Sequence, residues 1–191
     1  MRYLRSSLFL FLFLLLFTGL AYPLLTTMLA QWLFPTQANG SLLYRENTVV
    51  GSSLIGQPFS RAGYFQGRPS TTSDGPYNAR ASGGSNLAAS NPALDKLIGE
   101  RTAYWHQIVG NQHPVPAELL TASGSGLDPQ ISPETARYQA LHIAQARGMS
   151  LQQVQQLIDR FTETSKPAFI GQPTVNVLLL NLALDKEKPL P

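Results

Sequence analysis

Hydrophobic residues are concentrated near the start of this 191-residue chain, where positions 8–29 read LFLFLFLLLFTGLAYPLLTTML. No charged residue occurs between Arg5 and Arg45. A helix of this segment, at about 1.5 Å per residue, is about 33 Å long, which exceeds the hydrocarbon thickness of about 30 Å. The pattern therefore predicts a transmembrane helix, to which we assign residues 7–34.

The alternative interpretation of this segment is a cleaved secretory signal. Arg2 and Arg5 would form its basic start, and Gly19-Leu20-Ala21 has the small-x-small form of a cleavage site. The hydrophobic stretch continues past that site to Phe34, however, which is longer than a signal needs. Length therefore favours a retained span.

The positive charges beside the span predict its orientation. Arg2 and Arg5 precede it and no basic residue follows it before Arg45, so residues 1–6 are expected in the cytoplasm. A tether at 35–41 would then lead to a periplasmic α+β domain at 42–191. This arrangement predicts a single-pass membrane protein, with lipid as one of its partners, whose domain lies outside the cytoplasm, in a bacterium the periplasm.

Short β-favouring runs follow the tether at 42–44, 48–50 and 53–55, and Asn and Gly separate them. They predict a small sheet. The segment 175–184, VNVLLLNLAL, fits either a strand or a buried helix, and its Leu and Ala content favours a helix. A polar tail is expected at 185–191.

Three amphipathic segments predict helices with clear start signals. Asn91-Pro92 and Ser132-Pro133 each place an N-cap residue before a proline, and the two helices should end near Gly110 and Gly148. Ser150 opens a capping box before an apolar stripe that runs to residue 161. The last two helices should form a hairpin.

Composition limits the chemistry of the domain. The sequence has no cysteine, which excludes disulfides and thiol chemistry. Two of its 14 Lys and Arg precede the span, so the rest carries 12 basic against 11 acidic residues. Such a balance gives no reason to expect nucleic acid as a partner.

Two loops rich in Gly and Ser, at 67–91 and 122–129, are the candidate sites. Neither serine of interest, Ser85 or Ser125, lies in a G-x-S-x-G motif, and no Lys follows the glycines as phosphate-binding loops require. We therefore predict no catalytic residue and no metal site, the histidines being far apart in sequence. The candidates for nucleotide or partner contact are Gly83, Gly84, Ser85, Asn86, Ser123, Gly124, Ser125 and Gly126.

Four segments of the chain resemble the C subunit of Kdp-type potassium-transporting ATPases: GQPFSRAGYFQGRPS (56–70), SGGSNLAASNPAL (82–94), VPAELLTASGSGLDPQISPETA (115–136) and VNVLLLNLAL (175–184). The resemblance implies an ATP-driven potassium uptake complex of several subunits. These would be a channel-like potassium-binding subunit, a P-type ATPase subunit, a small single-span subunit and this one. It also implies a non-catalytic role in stabilising the complex.

The resemblance leaves two hypotheses for the domain. In the first, it lies over the outer mouth of the channel-like subunit, and the docking candidates are Tyr64, Phe65, Gly67, Arg68, Leu127, Asp128 and Pro129. In the second, the domain is a catalytic chaperone that binds nucleotide and raises the ATP affinity of the ATPase subunit. The predicted orientation puts the loops outside the cytoplasm, where ATP is absent, and this favours the first hypothesis. ATP would then be a ligand of the complex rather than of this domain.

Overall fold

The computed structural model describes residues 2–110, 113–165 and 167–190. Its backbone contacts divide the chain into two units, residues 1–50 and 51–191. The structure is mixed helix and strand, with one apolar N-terminal helix followed by a helix and strand domain, which confirms the α+β prediction.

The apolar helix contains a candidate membrane span, Tyr3–Leu33, which by length and composition is able to cross a membrane. It consists of α1 (Arg2–Leu16), a π-helical turn (Phe17–Ala21) and α2 (Tyr22–Leu33). Pro23 lacks a backbone N–H, and its ring crowds the carbonyl four residues earlier. The wider π-helical turn just before it gives the ring room and lets that carbonyl do without the missing N–H.

A helical turn and a β-hairpin follow the apolar helix. The turn α3 (Pro35–Ala38) lies inside the predicted tether, and β1 (Leu42–Arg45) pairs with β2 (Thr48–Ser52). Glu46 and Asn47 connect the strands with φ values of 49° and 64°, as a two-residue hairpin turn with positive φ at both positions requires.

The predicted strand at 53–55 is wrong. The chain turns there instead, because side chains satisfy its backbone groups without a strand partner. Ser52 Oγ accepts from Leu54 N at 3.1 Å, and Asn176 Nδ2 donates to Ser53 O at 2.7 Å.

The three helices with start signals are confirmed. They are α4 (Pro92–Val109), capped by Asn91, α6 (Pro133–Arg147), capped by Ser132, and α7 (Leu151–Arg160), which begins with the Ser150 capping box. Helix α6 ends at Gly148 with a φ of 59°, which glycine adopts at little cost. A single turn, α5 (Ala117–Leu120), lies between α4 and α6.

A three-stranded antiparallel sheet was not anticipated. Its strands are β3 (Gln130–Ile131), β4 (Thr162–Glu163) and β5 (Thr174–Asn176), in the order β3-β5-β4. Gln130 lies opposite Asn176, and Thr162 lies opposite Val175.

The segment at 175–184 is mostly helix, as its composition favoured. Its first two residues belong to β5, and α8 runs over Val177–Glu187. The switch occurs at Asn176, whose side chain accepts from Leu179 N at 3.1 Å and caps the helix. Helix α8 also includes residues 185–187, the first part of the predicted polar tail.

The core forms where α6, α7, α8 and the sheet meet. Helices α6 and α7 make the predicted hairpin, and their apolar faces are buried. The core residues are Phe65, Ile131, Ala136, Ala140, Ile143, Ala144, Val154, Leu157, Ile158, Val175, Val177, Leu180 and Leu184.

Two buried amide side chains hold the segment before the first loop. Asn181 of α8 accepts from Phe65 N at 2.8 Å and donates to Phe65 O at 2.9 Å. Gln139 of α6 accepts from Gln66 N at 2.9 Å and donates to Gln66 O at 3.0 Å. Each amide thus pairs with both backbone groups of one residue, as a neighbouring strand would.

We expect Asn181→Leu to lower the free energy of unfolding of the domain by about 2–4 kcal/mol, because it leaves a buried N–H and a buried C=O of Phe65 unpaired. Urea unfolding of the full chain in detergent, followed by Trp105 fluorescence in a Trp32→Phe background, measures the change.

The matched control is Gln145→Leu, which makes a similar exchange at an exposed position of α6. Its effect should stay within about 0.5 kcal/mol. Equal stability of the two variants would contradict a supporting role for Asn181.

Candidate docking surface

The two Gly/Ser loops, 67–91 and 122–129, lie against each other, and we call them the loop pair. Gly83 N donates to Ser125 O at 2.8 Å, and the Ser82 hydroxyl donates to the same oxygen at 3.0 Å. The Ser70 hydroxyl donates to Gly126 O at 2.7 Å. The structure thus brings together the two groups of residues, 83–86 and 123–126, that the sequence analysis singled out.

Gly126 permits this close approach. Its φ is +65°, and a Cβ there would lie 2.5 Å from Gly83 O and 2.7 Å from Thr72 Cγ2. A side chain at this position would force the two loops apart. Gly84 is also close to the other loop, since its Cβ would lie 3.0 Å from Ser123 O.

Several backbone N–H groups of the loop pair are already used. Gly83 N donates across the pair, Gly126 N donates to Ser123 Oγ at 2.8 Å, and Leu127 N donates to Ser125 Oγ at 3.1 Å. A phosphate bound at these loops would have to displace such bonds.

Tyr77 stabilises the first loop from inside. Its hydroxyl donates to Arg68 O at 2.7 Å, and its backbone N donates to Ser70 Oγ at 2.8 Å. Burial, and after it the charge of Asp128, raises the pKa of Tyr77 to about 12. The phenol therefore keeps the proton that it donates. Nothing in the sequence pattern singled out this residue.

Arg68 links the loops through charge. Its guanidinium lies 3.6 Å from the Asp128 carboxylate and donates to Ala122 O at 3.3 Å. The neighbouring docking candidates are fixed by backbone bonds, since Leu127 O accepts from Gly56 N and Pro129 O accepts from Val177 N, both at 2.9 Å.

Of the remaining docking candidates, Tyr64 and Phe65 precede the first loop and Gly67 is its first residue. Phe65 is 0% exposed, so its side chain packs in the core and is not part of the docking surface itself. The Tyr64 hydroxyl donates to Asp185 at 3.0 Å, and the Arg147 guanidinium lies 4.7 Å from the Tyr64 ring centroid. A Cβ on Gly67 would lie 3.0 Å from the Tyr77 hydroxyl.

Glu118 of α5 bonds to the N-cap residue of α6 and so joins the two segments that flank the second loop. Its carboxylate accepts from Ser132 N at 2.8 Å and from the Ser132 hydroxyl at 2.9 Å, and Ser132 caps α6. Burial alone would raise the Glu118 pKa, but these hydrogen bonds, one from Thr135 and the charge of Arg68 together lower it.

Within the described ranges, no group of three or more His, Cys, Asp or Glu side chains could hold a metal ion. The hydroxyl of Ser125 is engaged by Leu127 N and lies 3.4 Å from the Ser123 hydroxyl. Burial lowers the pKa of His142.

We expect Gly126→Ala to lower the free energy of unfolding by about 2–4 kcal/mol, because its Cβ would meet Gly83 and Thr72. Gly124→Ala is the control two residues away, since its Cβ would meet nothing within 4 Å. Equal urea midpoints for the two variants would show that the loops do not pack in this way.

Glu118 should make stability depend on pH. Its pKa in the folded protein lies below the ordinary 4.5, so its contribution is complete above that pH and is lost as the pH falls through the folded value. Glu118→Gln should therefore destabilise the domain at pH 7, and the difference from the unchanged chain should shrink in acid.

Unfolding midpoints measured between pH 7 and the acid limit of the folded state check this expectation. The control is Glu134→Gln, which removes an exposed carboxylate from the first turn of α6. A pH-independent effect of Glu118→Gln would contradict the assignment.

Comparison with known proteins confirms the resemblance of the four segments. Residues 4–186 match the family described as K+-transporting ATPase, c chain. The chain is similar to the potassium-transporting ATPase KdpC subunit of Pectobacterium atrosepticum, with 88% identity over 191 residues and all of both chains covered. The KdpC subunit of Erwinia tasmaniensis is 60% identical over 188 residues, covering 97% of this chain and 98% of that one. That of Escherichia coli O157:H7 is 56% identical over 187 residues, with the same coverage. The chain therefore belongs to the c-chain family of K+-transporting ATPases.

Proposed function

We propose that this chain is a non-catalytic subunit that stabilises a potassium uptake complex by docking the loop pair on its neighbours. The neighbours are the channel-like potassium-binding subunit, the P-type ATPase subunit and the small single-span subunit. The observation that carries the proposal is the bonding between the loops, above all Gly83 N to Ser125 O and Ser70 to Gly126 O.

The bonding matters because loops rich in Gly and Ser would otherwise lose much conformational freedom on binding. Here Gly126 allows close packing, Tyr77 ties the first loop to itself, and Arg68 reaches the second. A surface ordered before it binds retains more of its contact energy as affinity. This favours docking as the use of the loop pair.

The proposed orientation places residues 1–6 in the cytoplasm and 42–191 in the periplasm, across the bacterial inner membrane. The support is the charge pattern, since Arg2 and Arg5 precede the apolar helix and no basic residue follows it before Arg45. In this orientation the loop pair would lie over the outer mouth of the channel-like subunit and influence ion entry.

Transport itself is assigned to the partners. A pore needs several helices or a closed barrel around its polar lining, and the described residues hold one helix able to cross a membrane. Nucleotide binding by the loops is the alternative, but a triphosphate would compete with the bonds that Gly83, Gly126 and Leu127 already make. Docking needs no such rearrangement.

Crosslinking at the loop pair tests the proposal. The chain has no cysteine, so Ser125→Cys introduces a unique exposed thiol that can carry a maleimide-linked benzophenone. We expect illumination of the assembled complex in membranes to join this chain to the channel-like subunit. The product is identified by mass spectrometry.

Gln152→Cys, exposed on the outer face of α7, is the matched control and should give little product. Equal crosslinking from both positions, or none from Ser125→Cys, would refute docking through the loop pair. A membrane-impermeant maleimide should also label Ser125→Cys in intact spheroplasts, and labelling only after lysis would refute the orientation.

A further inference from the structure

A small cleft of about 220 Å³ lies between the first loop and helix α4. One wall is formed by residues 66–70 and Tyr77, and the other by Arg101, Tyr104 and Trp105 of α4. Two of the lining residues, Arg68 and Arg101, are positively charged, and none of the described residues that line the cleft is acidic.

Arg68 has hydrogen-bonding capacity to spare. Its Nε is buried and has no partner within the described part of the chain. Its other contacts are long, at 3.3 Å to Ala122 O and 3.6 Å to Asp128. These long contacts only partly neutralise the guanidinium charge, so an anion placed at the cleft would be favourable to Arg68.

Arg101 provides the second positive charge of the cleft, on the opposite wall. One of its terminal nitrogens donates to Leu120 O, which leaves the other donors of the guanidinium for a ligand. Burial lowers the pKa of Arg101, against the opposing effect of Glu100. Partial desolvation of this kind strengthens binding of an oppositely charged group.

The size and walls of the cleft limit its occupant. Pockets for drug-sized ligands measure about 300–1,000 Å³, so this cleft suits one side chain or a small ion rather than a nucleotide. Tyr104 accepts from Gln66 Nε2 at 2.8 Å, which leaves its own proton to donate. Tyr104 and Trp105 also give an apolar wall for methylene groups.

We propose that the cleft binds the carboxylate of an Asp or Glu side chain of a partner subunit, with Arg68 and Arg101 donating to its oxygens. The inference rests on the proposed docking function, because Arg68 belongs to both the cleft and the loop pair. A planar carboxylate matches the fork of guanidinium donors. Asp128, which approaches Arg68 from outside the cleft, helps to hold that side chain in place.

Binding can be measured without the partner subunits. In the full chain in detergent, Trp32→Phe leaves Trp105, which lines the cleft, as the single tryptophan. The probes are acetyl-Gly-Gly-Glu-Gly-Gly-amide, the same peptide with Gln in place of Glu, and inorganic phosphate, all at constant ionic strength. We expect a saturable fluorescence change with the Glu peptide and none with the Gln peptide.

Arg68→Gln and Arg101→Gln should each weaken binding of the Glu peptide by about tenfold or more, the usual effect of losing a charged hydrogen-bond donor. Lys96→Gln, an exposed change on the same helix, should leave binding unchanged. The proposal would be overturned if the Glu peptide gave no saturable change, or if the arginine variants bound it as well as the unchanged chain does. A response to phosphate without a response to the Glu peptide would overturn it as well.

The crosslink from Ser125→Cys separates this inference from the proposed function. A persistent crosslink without peptide binding would refute the carboxylate cleft and leave docking intact. Peptide binding without a crosslink would refute docking through the loop pair, and with it the partner subunit as the source of the carboxylate.

Discussion

The pairing of two buried amides with the backbone of Phe65 and Gln66 is the constraint on which the surface depends. This segment enters the interior without a strand beside it, so its N–H and C=O groups need partners from side chains. Asn181 and Gln139, each 1% exposed, supply a donor and an acceptor together. An apolar residue could do neither, and a carboxylate could only accept. Arg68 follows three residues after Phe65, so the loop pair starts from a point fixed by the core.

The helices were predictable because their signals are local. Asn91 and Ser132 cap helices whose first residue is proline, and Ser150 begins a capping box, all within four residues of sequence. The sheet β3-β5-β4 was missed because its strands are two or three residues long, too short for a periodic pattern. The run at 53–55 has strand-favouring residues, but Asn176 and Ser52 satisfy its backbone from elsewhere.

The candidate site was predictable only in outline. The Gly and Ser content marked both loops, yet the sequence could not show that Gly126 faces Gly83, which lies 43 residues earlier in the chain. Gln66 and Gln139 are 73 residues apart, and no local pattern pairs them. Phe65 and its neighbour Tyr64 look equivalent in sequence, but one is buried in the core and the other bonds to Asp185. Such distinctions arise only when distant segments pack.

A domain without disulfides needs polar contacts to fasten its ends, and Arg147 provides them. Its side chain, 0% exposed, donates to Gly63 O, Lys188 O and Asp185, which joins the segment before the first loop to the end of α8. Under the proposed function, the apolar helix and the loop pair would be two linked contacts, and once one is made the other would form at a high effective concentration. Neither contact then has to be strong alone, provided that the loop pair is ordered beforehand.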